Sequence, residues 1–218
     1  LREVAFRAVG EGTGKKRDID KYDAYYHHLI LWDKEELEII GAYRFADTKK
    51  VIDCQGKDAL YTETLFKYEG EMNTYLAQGL ELGRSFVQPK YWGKRSLDYL
   101  WFGIGAFLKV NPQFRYLFGP VSISDSYPAA AKDLMVYFYN LYFGYITKVA
   151  ESNQPYQYQQ PDIAILKASF TGDDYKADFV QLKHLLANMG VSVPTLYKQY
   201  SELCQPGGVQ FLAFGTDP

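Results

Sequence analysis

The sequence holds 218 residues, enough for one substantial domain with a buried core or at most two small ones. Its 24 basic and 26 acidic residues leave a net charge of -2, which excludes a global electrostatic pull toward nucleic acid or anionic membrane. Aromatics reach 17%, chiefly 20 Tyr and 14 Phe, which suits either grooves lined with rings that carry a polar tip or an aromatic-rich core.

Cys54 and Cys204 lie far apart and make no metal or redox spacing, so free thiols in a reducing compartment are expected. No apolar run approaches the roughly 20 residues that span a bilayer, and no signal-like segment opens the sequence. The expectation is a cytoplasmic protein. The start at Leu1 and the stop at GTDP read as a domain cut from something longer.

Residues 2–10 space Val4, Ala5, Phe6 and Ala8 as a short helix ahead of a flexible basic loop. Asp20 and Asp23 then precede YYHHLILWD, a predicted strand through about Trp32. Asp33 to Glu36 turn the chain into ELEIIGAYRF, so the two runs are expected to form an antiparallel hairpin. Along the second strand Glu38, Ile40, Ala42 and Arg44 share one face. Arg44 thus sits at the end of a mainly apolar stretch, where a charge is costly unless it meets an anion. Residues 46–60 read as loop, and Leu65–Ala77 as a helix closed by Gly79.

GLELGRSFVQ, from Gly79, is the next strand. Strict alternation sends Glu81 and Arg84 to opposite sides of the sheet; a bulge at Gly83 brings them together, and glycine inside a strand marks bulges. After the basic loop QPKYWGKRS, Ser96 is placed to cap a helix with Leu97, Leu100, Trp101, Ile104, Phe107 and Leu108 at helical spacing. Asn111-Pro112 ends it. FRYLFGPVSIS follows as a strand parallel to its predecessor, and Pro128 opens a helix through Leu141. Residues 151–161 read as an exposed connection. IAILKASF is predicted as a strand, DDYKADFVQLKHLLANMG as a helix ended by Gly190, VPTLYKQYSELC as a further helix, and VQFLAF as a last strand. The division expected is a core over residues 1–150 with a C-terminal extension, 151–218, packed on the same domain.

The order helix, hairpin, strand, basic loop, helix, strand, helix resembles the GNAT superfamily. It is closer to the long-chain N-acyltransferases: ornithine-lipid-type enzymes, N-acyl amino acid synthases and, more distantly, acyl-homoserine-lactone synthases. The resemblance rests on Arg2-x-x-x-Phe6, Asp20-x-x-Asp23, GAYRF with Arg44, and Glu81-x-x-Arg84. The tail from Val193 resembles proteins of the hemolysin type, in which such a domain is fused to a lysophospholipid-type acyltransferase. The resemblance implies an α/β (α+β) GNAT fold: a central mixed, twisted sheet, helices on both faces and a bulged central strand near Gly83. It also implies transfer of a long acyl group from an acyl carrier protein or coenzyme A thioester to the amine of an amino acid. No tightly bound cofactor and no nucleic-acid partner are implied. The place of action is the cytoplasm, with contact at the inner membrane surface through the fused domain.

Glu81 is the candidate base, with Arg84 beside it as the second catalytic candidate; an ordinary strand glutamate paired with a lysine is the alternative. Arg2, Phe6, Asp20, Asp23 and Arg44 are candidates for the amine site, the arginines gripping a substrate carboxylate, or else for an internal salt-bridge cluster. The strand around Leu82, Gly83, Ser85 and Phe86 is expected to carry the thioester arm on its backbone N–H groups. Lys90, Gly93, Lys94, Arg95 and Ser96 sit at a helix N-terminus, an anion site. Gly93 stands alone where the superfamily uses a glycine-rich pyrophosphate loop, which favours a carrier protein over coenzyme A. Trp101, Phe102, Phe107, Phe114, Phe118, Tyr137 and Phe138 are either an acyl tunnel or plain core. His27, His28 and His184 are not placed as metal ligands.

Overall fold

The computed structural model describes residues 1–159 and 163–216. The chain divides into two compact units: residues 1–64 with 70–120, and residues 65–69 with 121–218. The division thus falls at Pro120, not near residue 150, and the chain lends a short segment, 65–69, to the second unit before returning to the first.

The first unit is a mixed four-stranded sheet in the order β1 (His27–Asp33), β2 (Glu38–Asp47), β4 (Gly79–Val87), β5 (Tyr116–Phe118). The first two pairs are antiparallel; β4 and β5 run parallel. On one face Tyr43, Phe45, Leu80 and Leu82 are buried against Leu100 and Ile104 of α4 (Ser96–Val110). The other face carries Ala42, Arg44, Ala46 and Glu81, all buried, and is met by α1 (Arg2–Arg7). The alternation read from GAYRF is therefore the one observed.

The bulge is present. Ala42 pairs with Phe86 and Arg44 with Gly83, so two β2 steps are matched by three on β4. The extra residue lies between Gly83 and Phe86, and the residue that bends the strand is Arg84, at φ +49°. Glycine was expected to take that conformation; instead a Cβ-bearing residue holds the left-handed region, at a cost of about 1–2 kcal/mol. Beyond the bulge, β4 pairs with β2 alone among the described residues, since its ladder with β5 ends at Glu81 opposite Phe118. Gly119 follows directly, and there a side chain is impossible: its Cβ would lie 2.0 Å from the Leu82 carbonyl oxygen.

Three expectations for this half change. Residues 46–60 are not loop: Thr48–Gln55 form α2, with the Asp47 carboxylate accepting from the Lys50 N–H at 3.0 Å and Gly56 closing the helix at φ +90°. Leu65–Ala77 is not one helix, because Gly70 at φ +55° separates β3 (Phe66–Tyr68) from α3 (Met72–Leu76). The strand after α4 is short, Tyr116–Phe118 only.

In the second unit β3 pairs antiparallel with β6 (Ala150–Ser152). Around α5 (Ala129–Phe143) gather α6 (Ile163–Ser169), α7 (Tyr175–Asn188) and α8 (Thr195–Leu203), with Met135, Phe138, Tyr139, Leu166, Leu182 and Leu186 all at 2% exposure or less. IAILKASF is thus helical: Leu166 and Phe170 are buried four residues apart while Ile163 and Ile165 are exposed, a helical and not an alternating period. VQFLAF forms one isolated bridge, Phe211 with Gly144, and Gly215 just past it forms another with Pro155, in place of a regular strand. Of the expected connection 151–161, residues 160 and 161 lie outside the described residues.

Candidate active site

Three arginines and three aspartates alternate in a closed ring on the α1 face of the first unit's sheet. Arg2 reaches Asp18 at 3.0 Å and Asp23 at 2.7 Å; Arg44 reaches Asp20 at 2.6 Å and Asp23 at 2.8 Å. Arg84 completes it, 3.7 Å from Asp18 and 3.8 Å from Asp20. Each aspartate therefore faces two guanidinium groups, and each guanidinium two carboxylates. Local chain geometry explains the placement. Asp20 caps the turn Lys21–Ala24 and Asp23 closes the reciprocal cap, so both carboxylates are fixed toward β2.

The ring is uneven. Arg2 and Arg44 make short, charge-assisted hydrogen bonds, and Arg44 is buried to 2% exposure under Tyr22, Tyr26 and Tyr61, whose rings lie 5.3–5.7 Å from its guanidinium carbon. Arg84 makes only the two long contacts. Its side chain is 25% exposed, between the Phe6 and Tyr61 rings at 5.7 and 5.5 Å. Its Nε and the Asp20 Oδ2 that it faces are both buried without a hydrogen-bond partner. Asp23 behaves as a closed link should. Burial alone would raise its carboxyl, but hydrogen bonds from Arg2, the Asp20 N–H and Arg44 hold it well below the usual range.

Glu81 stands on the same face, 1% exposed. One carboxylate oxygen accepts from the Thr62 N–H at 2.6 Å and the other from the Tyr26 hydroxyl, which itself accepts from the Tyr61 N–H at 2.9 Å. Among the described residues no lysine pairs with it. Burial pushes its pKa up against the pull of those donors, and burial with the neighbouring carboxylate pushes the Tyr26 hydroxyl far above its ordinary value. The bulge thus brings Glu81 and Arg84 to one side of the sheet, together with Arg2, Phe6, Asp20, Asp23 and Arg44.

The donor-site candidates are placed less uniformly. Leu82 points its side chain into the α4 core, and Gly119 packs against its carbonyl. A Cβ on Gly83 would meet nothing within 4 Å, leaving free space beside the strand; Ser85 and Phe86 are half-buried. In the basic loop Lys90 pairs with Glu38, Arg95 with Asp98 at 3.2 Å, and Lys94 lies 4.9 Å from the centre of the Tyr91 ring. Tyr91 fixes this loop by donating to Glu38 at 2.5 Å and contacting Asp33 at 3.1 Å. Gly93 takes φ +72°. Ser96 is the first residue of α4, not its cap; Arg95 holds the cap position and offers no side-chain hydrogen bond, so the helix's first N–H groups have no side-chain cap. The proposed tunnel aromatics do not form one set: Phe107 stacks on Phe114 and meets Phe45 at a tilt in the first core, Phe138 is central to the second, and Phe102 faces solvent. Among the described residues no group of three or more His, Cys, Asp or Glu is arranged to hold a metal ion.

Sequence reasoning missed Asp18, Tyr26, Tyr61 and Thr62. Asp18 had a signal, because DIDKYD places aspartates at 18, 20 and 23 beside one turn. Tyr61 and Thr62 act through backbone N–H groups brought from far along the chain, which no side-chain pattern announces.

A mixed sheet whose bulged strand turns a buried glutamate and an arginine to one side, beside a parallel neighbour that stops pairing there, defines a GNAT-type fold. Residues 1–102 match the family described as the acetyltransferase (GNAT) domain, and that part of the chain belongs to the superfamily. It is 36% identical over 215 residues to the glycine N(alpha)-acyltransferase of Phocaeicola vulgatus, across 93% of this chain and 66% of that protein. It is 35% identical to the glycine N(alpha)-acyltransferase of Bacteroides thetaiotaomicron, across 93% and 64%. A more distant relative, the L-ornithine N(alpha)-acyltransferase of Brucella abortus, is 29% identical over 146 residues, 59% of this chain and 50% of that protein. The chain therefore spans a little under two thirds of the length of the glycine relatives. No solved structure matches it significantly.

Proposed function

We propose that this chain transfers a long-chain acyl group from a thioester to the α-amine of an amino acid, with glycine as the acceptor. The observation that carries the reading is the weak link of the ring. Arg84 Nε and Asp20 Oδ2 face each other at 3.8 Å, each buried and lacking a hydrogen bond, on the same face as Glu81. A zwitterion carries the charges complementary to that pair, and would place its carboxylate on the Arg84 fork and its ammonium on Asp20 once the two side chains part. The two glycine relatives, each matching 93% of this chain, support glycine over ornithine.

In the step proposed, the ammonium loses a proton toward Glu81 and the freed lone pair attacks the thioester carbonyl. The oxyanion that develops is met by backbone N–H groups of β4, and as it collapses the C–S bond breaks and the thiolate takes the second proton shed by the attacking nitrogen, leaving as the thiol. Positioning of amine and thioester supplies a large share of the acceleration. The space beside Gly83 and the unpaired edge of β4 past Glu81 suit an extended pantetheine arm. The uncapped start of α4, with Lys94 and Arg95, suits its phosphate. With a single glycine in that loop, an acyl carrier protein's phosphodiester is favoured over the pyrophosphate of coenzyme A.

The test is thiol release by the purified protein, given long-chain acyl thioesters of acyl carrier protein or coenzyme A and either glycine or ornithine. Glu81→Gln is expected to lower kcat by about 10²–10⁴, and turnover with glycine to exceed that with ornithine. Release no higher than the Glu81→Gln background for every donor and acceptor would sink the proposal. The sealing of Glu81 at 1% exposure favours a second reading, a non-catalytic acyl-binding module serving a fused acyltransferase domain. Thioester binding retained without turnover is the outcome that selects it.

A further inference from the structure

The fifteen residues of α4, SLDYLWFGIGAFLKV, contain two charged side chains, Asp98 and Lys109. One side packs on the sheet through Leu97, Leu100 and Ile104. The opposite side is a strip of apolar surface at helical spacing: Tyr99 is 54% exposed, Phe102 59% and Val110 75%, with Gly105 and Ala106 exposed between them. The Tyr99 and Phe102 rings meet edge to face at 6.0 Å, so they form one raised aromatic patch. A helix that lies on a water-facing surface ordinarily turns charge outward, and this one does not.

Both ends of the strip are basic. Lys94 and Arg95 stand exposed before the helix and Lys109 is exposed in its last turn; Asp98 is engaged with Arg95. Trp92, 47% exposed, adds an indole whose N–H is held by the Val87 carbonyl at 2.9 Å. Aromatic rings with polar tips, small residues and flanking cations are the composition of a helix that lies in the headgroup region of a bilayer. At roughly 22 Å the helix is too short to cross one, and among the described residues no helix is long and apolar enough to do so.

We infer that the outer face of α4 is a docking surface for an anionic lipid bilayer. Charge selects this occupant over a second copy of the chain. A two-fold contact through the strip would set Lys109 of one copy against Lys109, or against Lys94 and Arg95, of the other, and like charges facing across an interface are repulsive. Anionic headgroups meet the cations at both ends, while Tyr99, Phe102 and Val110 reach the acyl boundary. Lys94 and Arg95 are shared with the phosphate site of the acyl-transfer reading, whereas Tyr99, Phe102, Val110 and Lys109 have no part in it, so variants at those four positions test the surface separately.

The measurement is co-sedimentation of the purified protein with vesicles of phosphatidylglycerol and phosphatidylcholine, with the shift in tryptophan fluorescence on binding as a second readout. The protein is expected to bind, more tightly as the phosphatidylglycerol fraction rises and less tightly as salt is added. The double variant Tyr99→Ser/Phe102→Ser is expected to lose partitioning by about tenfold or more with circular dichroism unchanged, since both side chains are exposed. Lys109→Glu tests charge separately and is expected to weaken the preference for phosphatidylglycerol. Failure of the wild-type protein to bind vesicles overturns the inference, as does equal binding by the double variant. Concentration-dependent dimerisation that the double variant abolishes, with no vesicle binding, overturns it in favour of a second copy.

Discussion

A carboxylate that takes a proton from an ammonium works best when its own pKa lies near the working pH, and burial moves Glu81 in that direction. Its ionised form then depends on two donors, the Thr62 N–H and the Tyr26 hydroxyl. Tyr26→Phe removes one of them and also leaves the Tyr61 N–H without its acceptor. In the proposed reaction the acid limb of the kcat–pH profile belongs to Glu81, so activity rises with pH as that group ionises. Loss of the Tyr26 donor destabilises the ionised form, and the limb is expected to move to higher pH, with a stability loss of about 1–3 kcal/mol by denaturant titration. A limb that stays in place in Tyr26→Phe would show that Glu81 does not set it. At this scale the sequence was informative where charge is out of place in a strand pattern, as at Arg44, Glu81 and Arg84. It was silent on Tyr26 and Thr62, whose part depends on where distant backbone groups come to lie.

The bulge in β4 shows how far a pattern reaches at the scale of one element. Alternation established that the strand must break if Glu81 and Arg84 are to share a face, and it does; it could not say which residue would bend. Gly83 was the expected one, yet Arg84 takes φ +49°. Two variants separate the guanidinium from the backbone. Arg84→Ala and Arg84→Gly both remove the side-chain charge and are both expected to abolish glycine turnover. Only the glycine relieves the left-handed strain, so Arg84→Gly should be more stable than Arg84→Ala by about 1–2 kcal/mol in urea titration. Equal stabilities would mean that the strain is not carried at this residue. Elements were misread where a local signal was passed over. Asp47, two residues ahead of Lys49, caps α2, and Asp47→Ala is expected to lower stability by about 1 kcal/mol in the same titration. Leu166 and Phe170 are four apart, a helical spacing hidden by the apolar run IAIL, which periodicity alone does not assign.

For the molecule as a whole, the charge ring and its supporting residues all belong to the first compact unit, whose boundary at Pro120 no composition shift in the sequence marks. The ring closes because a turn between α1 and β1 presents three aspartates to arginines on α1, β2 and β4, and that convergence is a property of the fold. It makes this unit's stability depend on pH in a definite direction. Asp23 is held well below its ordinary pKa by Arg2 and Arg44, and Glu3 is lowered to about 2, first by the Thr13 hydroxyl and then by Arg7. A carboxylate depressed in the folded state binds fewer protons there than in the unfolded chain. Its contribution is complete above the unfolded value of about 4 and is lost as pH falls through the folded one. The part of the stability that Asp23 and Glu3 contribute is therefore expected to be complete above about pH 5 and to fall below about pH 4, while Glu81, raised in the folded state, contributes a slope of the opposite sign at higher pH. Asp23→Asn removes the titrating group but leaves Arg2 and Arg44 short of a counter-charge, and a broken buried pair is destabilising by about 3–5 kcal/mol. The variant should be less stable at neutral pH and show a shallower acid decline, so the two curves converge toward low pH. Parallel curves across the acid range would show that the ring is not what the folded state loses there.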